Sequence, residues 1–76
     1  MSEPFTVPID ALDYPTPPER QVKLWVGMIR AKAEVPPIKV RSRPNLPGRW
    51  LVISGGPAIE AAKRELGATS ISCEAV

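Results

Sequence analysis

The spacing of apolar residues along the chain predicts two helices and four short strands. Between residues 17 and 33, apolar residues recur three or four positions apart, which is typical of a helix with one buried face. Thr16 and Glu19 lie three residues apart, so this helix is expected to begin with a capping box in which Thr16 is the N-cap. The expected buried face consists of Val22, Trp25, Val26, Ile29 and Ala33, widened by Leu24 and Met28.

Alternation of apolar and polar residues predicts the strands. Ile38 and Val40 are expected on the buried side of a strand, with basic residues on the other side. Pro8 favours an edge position for the first strand, because proline cannot donate to a neighbouring strand. The predicted strands are residues 5–9, 38–43, 49–53 and 69–75, with a single turn at 10–13 and a turn rich in Pro at 44–48.

A strand, a glycine turn and a second helix follow one another in the second half. Pro57 suits a first helical position, where its missing N–H is not needed, and Gly67 is a typical C-terminal stop. This helix is predicted over residues 57–66, with Ile59, Ala62 and Leu66 on its inner face. The resulting order is β-α-β-β-α-β, an α/β fold with a small mixed sheet and two helices.

Composition narrows the classes of protein and of chemistry. The 76 residues predict one domain over 1–76, and 43% hydrophobic with 24% charged residues is typical of a globular protein. A lone cysteine, Cys73, favours a reducing compartment and the role of a buried apolar residue. No signal peptide or membrane-spanning run is evident, so we expect a cytoplasmic protein that does not bind membranes.

The residue types that are missing argue against common active sites. The chain has no histidine, which removes the commonest general base, and one cysteine is too few for the usual zinc sites. We therefore expect no metal ion and no catalytic residue, and no cofactor other than a nucleotide. Glu60, near the start of the second helix, is a carboxylate that could assist a metal or a water there.

The glycine turn is the first candidate binding site. Ser54, Gly55 and Gly56 lie between a strand and a helix start, where backbone N–H groups and the positive end of a helix dipole can meet a phosphate. A tight strand-to-helix connection is the simpler interpretation, because no Lys or Arg accompanies the glycines.

The predicted hairpin is the second candidate site. Lys39, Arg41 and Arg43 alternate along one strand and Arg49 follows the turn, with no acidic residue between positions 39 and 49. Such a cationic stripe suits nucleic-acid phosphates or an acidic partner, and Trp50 beside it could stack on a base. The alternatives are a solvated sheet face or a charged edge for the cations, and packing on the sheet for Trp50.

Several short motifs, in this order, resemble the ParB N-terminal and sulfiredoxin superfamily. Residues 55–63 fall on the family's signature turn and helix. The remaining matches are residues 7–12 with the first strand and turn, 17–33 with the first helix, 37–40 with "PI-V", 48–53 with "dG-y-l-I" and 66–71 with "lG-ttI". The resemblance covers nearly the whole chain and implies a ParB/sulfiredoxin-like fold.

The signature residues of that superfamily are replaced here. Where ParB proteins have Gly-Glu-Arg-Arg, this chain has Gly55, Gly56, Pro57 and Ala58; where sulfiredoxins continue from Gly-Gly to Cys-His-Arg, it has Pro57, Ala58 and Ile59. The chain also ends where ParB proteins continue into a DNA-reading helix-turn-helix. Thiol chemistry and operator binding of those kinds are therefore not expected.

The resemblance with these departures implies a non-catalytic binding or inhibitor module. Its partner would be nucleic acid, a nucleotide or another protein, and a homodimer stays open. Relatives of this type include plasmid-encoded fertility-inhibition proteins of the Osa type, so a place in plasmid or phage biology follows by analogy alone. The alternative is an enzyme of the same superfamily, a small metal-dependent DNase or nucleotide hydrolase.

Overall fold

The computed structural model describes residues 3–76 as a five-stranded mixed sheet with two helices. The strands lie side by side in the order β1-β5-β3-β4-β2. In chain order the elements are β1 (Phe5–Pro8), a 3-10 turn (Ile9–Ala11), β2 (Leu12–Asp13), α1 (Glu19–Arg30), β3 (Ile38–Ser42), β4 (Trp50–Ser54), α2 (Gly56–Leu66) and β5 (Ser70–Ala75). The predicted α/β class and order of elements are confirmed, with one short strand, β2, added.

The pairing of the strands places the hairpin in the middle of the sheet. β3 pairs with β4 antiparallel, with Arg41 opposite Leu51, and it pairs with β5 parallel on its other side. Helix α2 connects β4 to β5, which lies on the other side of β3 and runs antiparallel to β4. β1 pairs antiparallel with β5 at one edge, and the two residues of β2 pair parallel with the start of β4 at the other.

The core lies between the inner face of the sheet and the helices. Ile38 and Val40 of β3 and Cys73 of β5 are buried there against Ile59 of α2. The predicted buried role of Cys73 is confirmed. A second cluster joins the helices, where Ala61 and Ala62 of α2 are small enough for α1 to approach closely; its buried members are Val22, Ile29, Ala61 and Ala62.

The first helix is shorter at both ends than its apolar pattern predicts. It begins at Glu19, with Pro18 as N-cap and no side-chain cap, so the predicted capping box with Thr16 is wrong. A residue before proline is held in an extended conformation, so Pro18 prevents Pro17 from being helical. The helix ends at Arg30, before Ala33, because Lys32 turns into the left-handed region at φ 68°.

Four apolar residues expected on buried helix faces lie on the surface, among them Ala33, which follows the end of α1. Leu24 is 64% exposed and Met28 44% exposed, so the widened face predicted for α1 is wrong. Leu66, at the end of α2, is 65% exposed, whereas Ala58 and Ala61 take buried positions in the helix. The buried stripe of each helix is therefore narrower than its apolar content suggests. None of the helices within residues 3–76 is long and apolar enough to cross a membrane.

Candidate functional site

Asp13, on the edge strand β2, binds both ends of the loop that connects the two strands of the basic hairpin. Asp13 ends β2, which lies beside β4, and its carboxylate accepts hydrogen bonds from two arginines. Arg43 donates from Nη1 to Oδ2 at 3.1 Å, and Arg49 donates from Nε to Oδ1 at 3.1 Å and from Nη2 to the same oxygen. One carboxylate thus holds both ends of the 43–49 loop.

The charges of this cluster stabilise one another. The hydrogen bond from Arg49 is the main cause that lowers the pKa of Asp13, with the positive charges of Arg49 and Arg43 adding to it against partial desolvation. The same hydrogen bond raises the pKa of Arg49. Asp13 is therefore ionised at neutral pH, and two cations share its single negative charge, leaving the end of the hairpin cationic.

The other two cations of the predicted stripe lie on β3. Lys39 reaches Glu74 on the neighbouring strand β5, with 3.0 Å between Nζ and Oε2. Arg41, midway between this pair and the loop, is exposed and makes no ion pair with any described residue. The four cations thus lie along one hairpin, faced by two carboxylates that the linear sequence places far away.

Trp50 lies at the start of β4 with its ring turned towards the core. Its ring centroid is 5.1 Å from that of Phe5, with a tilt of 47° between the planes, and the residue is half-buried. This packing corresponds to the alternative considered for Trp50. Its predicted role as a stacking surface for a base stays a prediction.

The glycine turn lies at the opposite end of β4 from the loop. Ser54 ends β4 opposite Lys39, Gly55 is the N-cap of α2 in the left-handed region at φ 108°, and Gly56 begins the helix. The N–H groups of a first helical turn lack acceptors within the helix. Pro57 has no N–H, so it adds no donor to this turn. About 20 Å of extended chain separates Arg49 from Gly55.

Tyr14, in the segment between β2 and α1, contacts the first turns of α2, and the sequence did not reveal this contact. Its hydroxyl donates a hydrogen bond of 2.7 Å to Glu60 Oε1, and its ring lies beside Gly56. Partial burial, followed by the hydrogen bond and the charge of Glu60, raises the pKa of Tyr14 well above its ordinary value of 10.0. Lys63 Nζ lies 3.6 Å from the same carboxylate, so Glu60 is engaged by two neighbours.

Sequence neighbours Asp13 and Tyr14 therefore join the two candidate sites. Asp13 binds the loop of the hairpin, and Tyr14 binds the first turns of α2. Their partners are 30 to 46 positions away in the chain, and no periodicity or motif signals such pairs. Within residues 3–76, no three acidic or cysteine side chains come together in a group that could hold a metal ion.

Comparisons with known proteins identify the fold. No protein-family model matches the chain, and neither does any curated protein sequence. Among solved structures, the C-terminally truncated chromosome-partitioning protein ParB from Caulobacter crescentus, complexed with CTP-γ-S, matches 97% of this chain and 44% of its own, with 24% identity and a TM-score of 0.74. Sulfiredoxin from Arabidopsis thaliana matches 97% of this chain and 84% of its own, with 22% identity and a TM-score of 0.72.

The chain has a ParB/sulfiredoxin-like fold. The resemblance inferred from its motifs is confirmed at the level of the fold, and the chain spans less than half of the ParB chain that it matches. No link to proteins of the Osa type is shown.

Within this ParB/sulfiredoxin-like fold, the signature positions carry no reactive group. Gly55, Gly56, Pro57 and Ala58 form the turn into α2, and their side chains are absent or apolar. The single thiol lies elsewhere, on β5, where the Cys73 Sγ donates to the carbonyl oxygen of Ile71 at 3.6 Å and burial raises its pKa. The polar groups of the candidate site are therefore those of the hairpin and of the Tyr14–Glu60 contact.

Proposed function

We propose that this chain is a non-catalytic binding module that contacts the phosphate backbone of nucleic acid through its hairpin. The residues that make the contact are the four cations Lys39, Arg41, Arg43 and Arg49. Phosphates are bound by such groups irrespective of base sequence, so the module recognises the charge of the nucleic acid more than its bases.

The observation that carries the proposal is the imbalance of charge along the hairpin. Arg41 has no acidic neighbour within ion-pair distance among the described residues, and Arg43 and Arg49 share the single charge of Asp13. An arginine that shares a carboxylate keeps donors that can turn to a phosphate. The Arg49–Asp13 pair is exposed and the Arg43–Asp13 pair is partly buried. Ion pairs at a protein surface contribute little to stability, so exchanging them for phosphates costs little.

The fold of the chain is compatible with the proposal. One of the matching structures is a chromosome-partitioning protein bound to a nucleotide analogue, so this scaffold is used by a protein that binds a phosphate-bearing ligand. At 24% identity the match supports the shape of the scaffold, and the basic hairpin of this chain supplies the chemistry.

The salt dependence of binding tests the proposal. Three or four phosphate contacts would give a slope of about −3 in a plot of log affinity against log salt for duplex DNA, because each contact releases condensed counterions. Fluorescence anisotropy with labelled duplex and single-stranded oligonucleotides measures this slope. Arg41→Ala and Arg43→Ala should each weaken binding and make the slope shallower by about 1.

A matched control separates the hairpin from general positive charge. Arg20→Ala removes the same charge from an exposed position on α1 that makes no ion pair with a described residue, and it should leave both affinity and slope almost unchanged. An affinity that changes neither with salt concentration nor in Arg41→Ala and Arg43→Ala would contradict the proposal. Magnesium-dependent nicking of plasmid DNA that is lost in Glu60→Gln would instead indicate the metal-dependent DNase.

A nucleotide at the glycine turn is the second candidate, and the CTP-γ-S in the matching ParB structure favours it. The test is a titration of CTP and of ATP into ¹⁵N-labelled protein. Binding at the turn should shift the amide signals of Gly55 and Gly56 before those of the hairpin. Unchanged signals at millimolar nucleotide would remove this candidate and leave the hairpin proposal intact.

A further inference from the structure

Helix α1 carries two apolar stripes, and the fold buries only one of them. The inner stripe packs on α2 through Val22 and Ile29. The outer stripe contains Leu24 and Met28, one helical turn apart, and these residues are 64% and 44% exposed. We call the outer face of α1 the surface formed by Arg20, Lys23, Leu24, Gly27, Met28 and Ala31, all of them exposed and spaced three or four residues apart.

Gly27 lies at the centre of this face, although no contact with the described residues requires glycine there. Apart from its chain neighbours and the backbone of its own helix, a Cβ at this position would meet no described atom within 4 Å, and the residue lies inside α1 without a positive φ. Glycine in a helix interior is less stable than alanine, so the fold gains nothing from it. A helix that lacks a side chain at one point allows the backbone of a partner helix to approach more closely there.

The charge of the face indicates what kind of partner fits. Arg20 and Lys23 lie at its start and Lys32 just past its end, and none of the three forms an ion pair with a described residue. Glu19, whose pKa Lys23 helps to lower, is already held by both terminal nitrogens of Arg64. An apolar ridge with unpaired cations at both ends complements apolar anchors flanked by carboxylates.

The same charges disfavour a second copy of this chain as the occupant. In a parallel pair of α1 helices, Arg20 and Lys23 would lie beside their own counterparts. In an antiparallel pair they would lie beside Lys32 of the other copy. Either arrangement places cations together on partial desolvation, which is unfavourable.

We propose that the outer face of α1 docks an acidic amphipathic helix of a different protein. The apolar anchors of that helix pack over Gly27 between Leu24 and Met28, and its carboxylates pair with Arg20, Lys23 and Lys32. A single helix face buries less than about 1,200 Å² in total, which is the range of weak, transient complexes. The surface belongs to a different element from the hairpin, so it can act together with nucleic-acid binding or without it.

A designed peptide serves as the probe. It is an amphipathic helix about five turns long, with leucines on one face and glutamates flanking them, and it is titrated into ¹⁵N-labelled protein. Binding should shift the amide signals of residues 20–32 selectively. Leu24→Glu and Met28→Glu, both at exposed positions that leave the core intact, should each weaken binding at least about tenfold.

Gly27→Ala separates docking from folding. This variant should unfold at a higher temperature than the parent, because alanine favours the helix, and yet bind the peptide several-fold more weakly, because the added methyl group holds the partner away. Arg41→Ala on the hairpin is the matched control and should bind the peptide like the parent. A peptide in which glutamine replaces every glutamate should lose most of the affinity.

Three results would overturn the proposal. The first is peptide binding that is equally tight in Gly27→Ala or Leu24→Glu. The second is self-association in sedimentation that Leu24→Glu abolishes, which would assign the face to a second copy. The third is binding to phosphatidylserine vesicles that depends on Leu24 and exceeds binding to the peptide, which would assign the face to a membrane surface.

Discussion

A side chain on Gly55 would collide with Ile38. The position of a Cβ on Gly55 lies 2.7 Å from Ile38 Cδ1, and Ile38 is almost fully buried on β3. Gly55 also adopts a φ of 108°, which side-chain-bearing residues rarely tolerate. The clash and the backbone conformation together therefore account for glycine here, whether or not a phosphate binds.

Gly55→Ala is expected to destabilise the protein by about 2 kcal/mol or more, from backbone strain together with the clash. Urea unfolding followed by circular dichroism measures the loss. The atom that is struck is Cδ1, the one carbon by which isoleucine exceeds valine. Ile38→Val alone should cost about 1 kcal/mol.

The double variant separates the two causes. In the Ile38→Val background the cost of Gly55→Ala should fall by on the order of 1 kcal/mol, because the clash disappears and only the backbone strain is left. Additive effects would mean that Ile38 does not restrict the turn. The glycine would then be explained by its backbone conformation alone.

The C-terminal end of α1 offers a change that should stabilise the protein. Lys32 has a φ of 68°, its N–H bonds to Ile29 O, and the next N–H, of Ala33, bonds to Met28 O. This is a Schellman motif with lysine where glycine is favoured. Lys32→Gly should raise the free energy of unfolding by up to about 1 kcal/mol. Lys32→Ala keeps the strain and is the control; equal effects of the two changes would contradict the explanation.

Local patterns predicted the elements better than their boundaries. Alternation and helical spacing depend on neighbouring residues, and they correctly predicted both helices and the hairpin. The start of α1 depended on the restriction that Pro18 imposes on Pro17, which overrides the attraction of a Thr16–Glu19 box. Glu19 pairs instead with Arg64, 45 positions away.

The sequence correctly predicted Val22 and Ile29 on the buried face of α1, but it wrongly added Leu24 and Met28 to that face. Val22 and Ile29 face the small residues Ala61 and Ala62, and only this crossing selects them over Leu24 and Met28. Such a choice depends on how two helices meet, which no single helix encodes. The helical pattern therefore wrongly predicted burial for Leu24 and Met28, and the same two exposed residues belong to the proposed docking surface.

Tyr14→Phe should lower the free energy of unfolding by about 1 kcal/mol, because it removes the hydrogen bond to Glu60 and keeps the ring beside Gly56. The effect also depends on pH. The folded protein holds the pKa of Tyr14 above its ordinary value of 10.0, so the stabilisation is complete below pH 10. It is lost as the pH rises further, because the unfolded chain releases the proton first.

Denaturant unfolding at several pH values between neutral and strongly alkaline checks this prediction. The difference in stability between the parent and Tyr14→Phe should be constant up to about pH 10 and then shrink. Glu60→Gln should produce a smaller alkaline dependence for the same reason, since it removes the charge that opposes ionisation of Tyr14. A difference that grows with pH would contradict the assigned contact.

The candidate site is the part of the molecule that the sequence described least completely. The stripe Lys39, Arg41, Arg43 and Arg49 contains no acidic neighbour in the sequence, yet the fold brings Asp13 and Glu74 to it. Asp13 reaches the loop because two residues, Leu12 and Asp13, form a strand beside β4. A strand this short has too few residues to show alternation, so the sequence indicated only a turn.

Asp13→Asn should strengthen nucleic-acid binding, which is the opposite of what loss of a structural contact usually does. The change removes the charge that Arg43 and Arg49 share and frees their donors for phosphates. Affinity for duplex DNA should rise several-fold at low salt, with a steeper salt dependence, as measured by fluorescence anisotropy. The pairs lie at the surface and the substituted asparagine keeps an oxygen that can accept from the arginines, so the thermal midpoint should change little.

Glu34→Gln is the matched control for Asp13→Asn, because it changes the net charge equally at an exposed position outside the hairpin. It should affect binding much less, since screening weakens charges that lie further than about 10 Å from the phosphates. Equal gains in both variants would mean that net charge alone governs binding. Weaker binding in Asp13→Asn would mean that the loop must be held by Asp13 to meet the backbone, and that the two arginines act from a fixed geometry instead of as released donors.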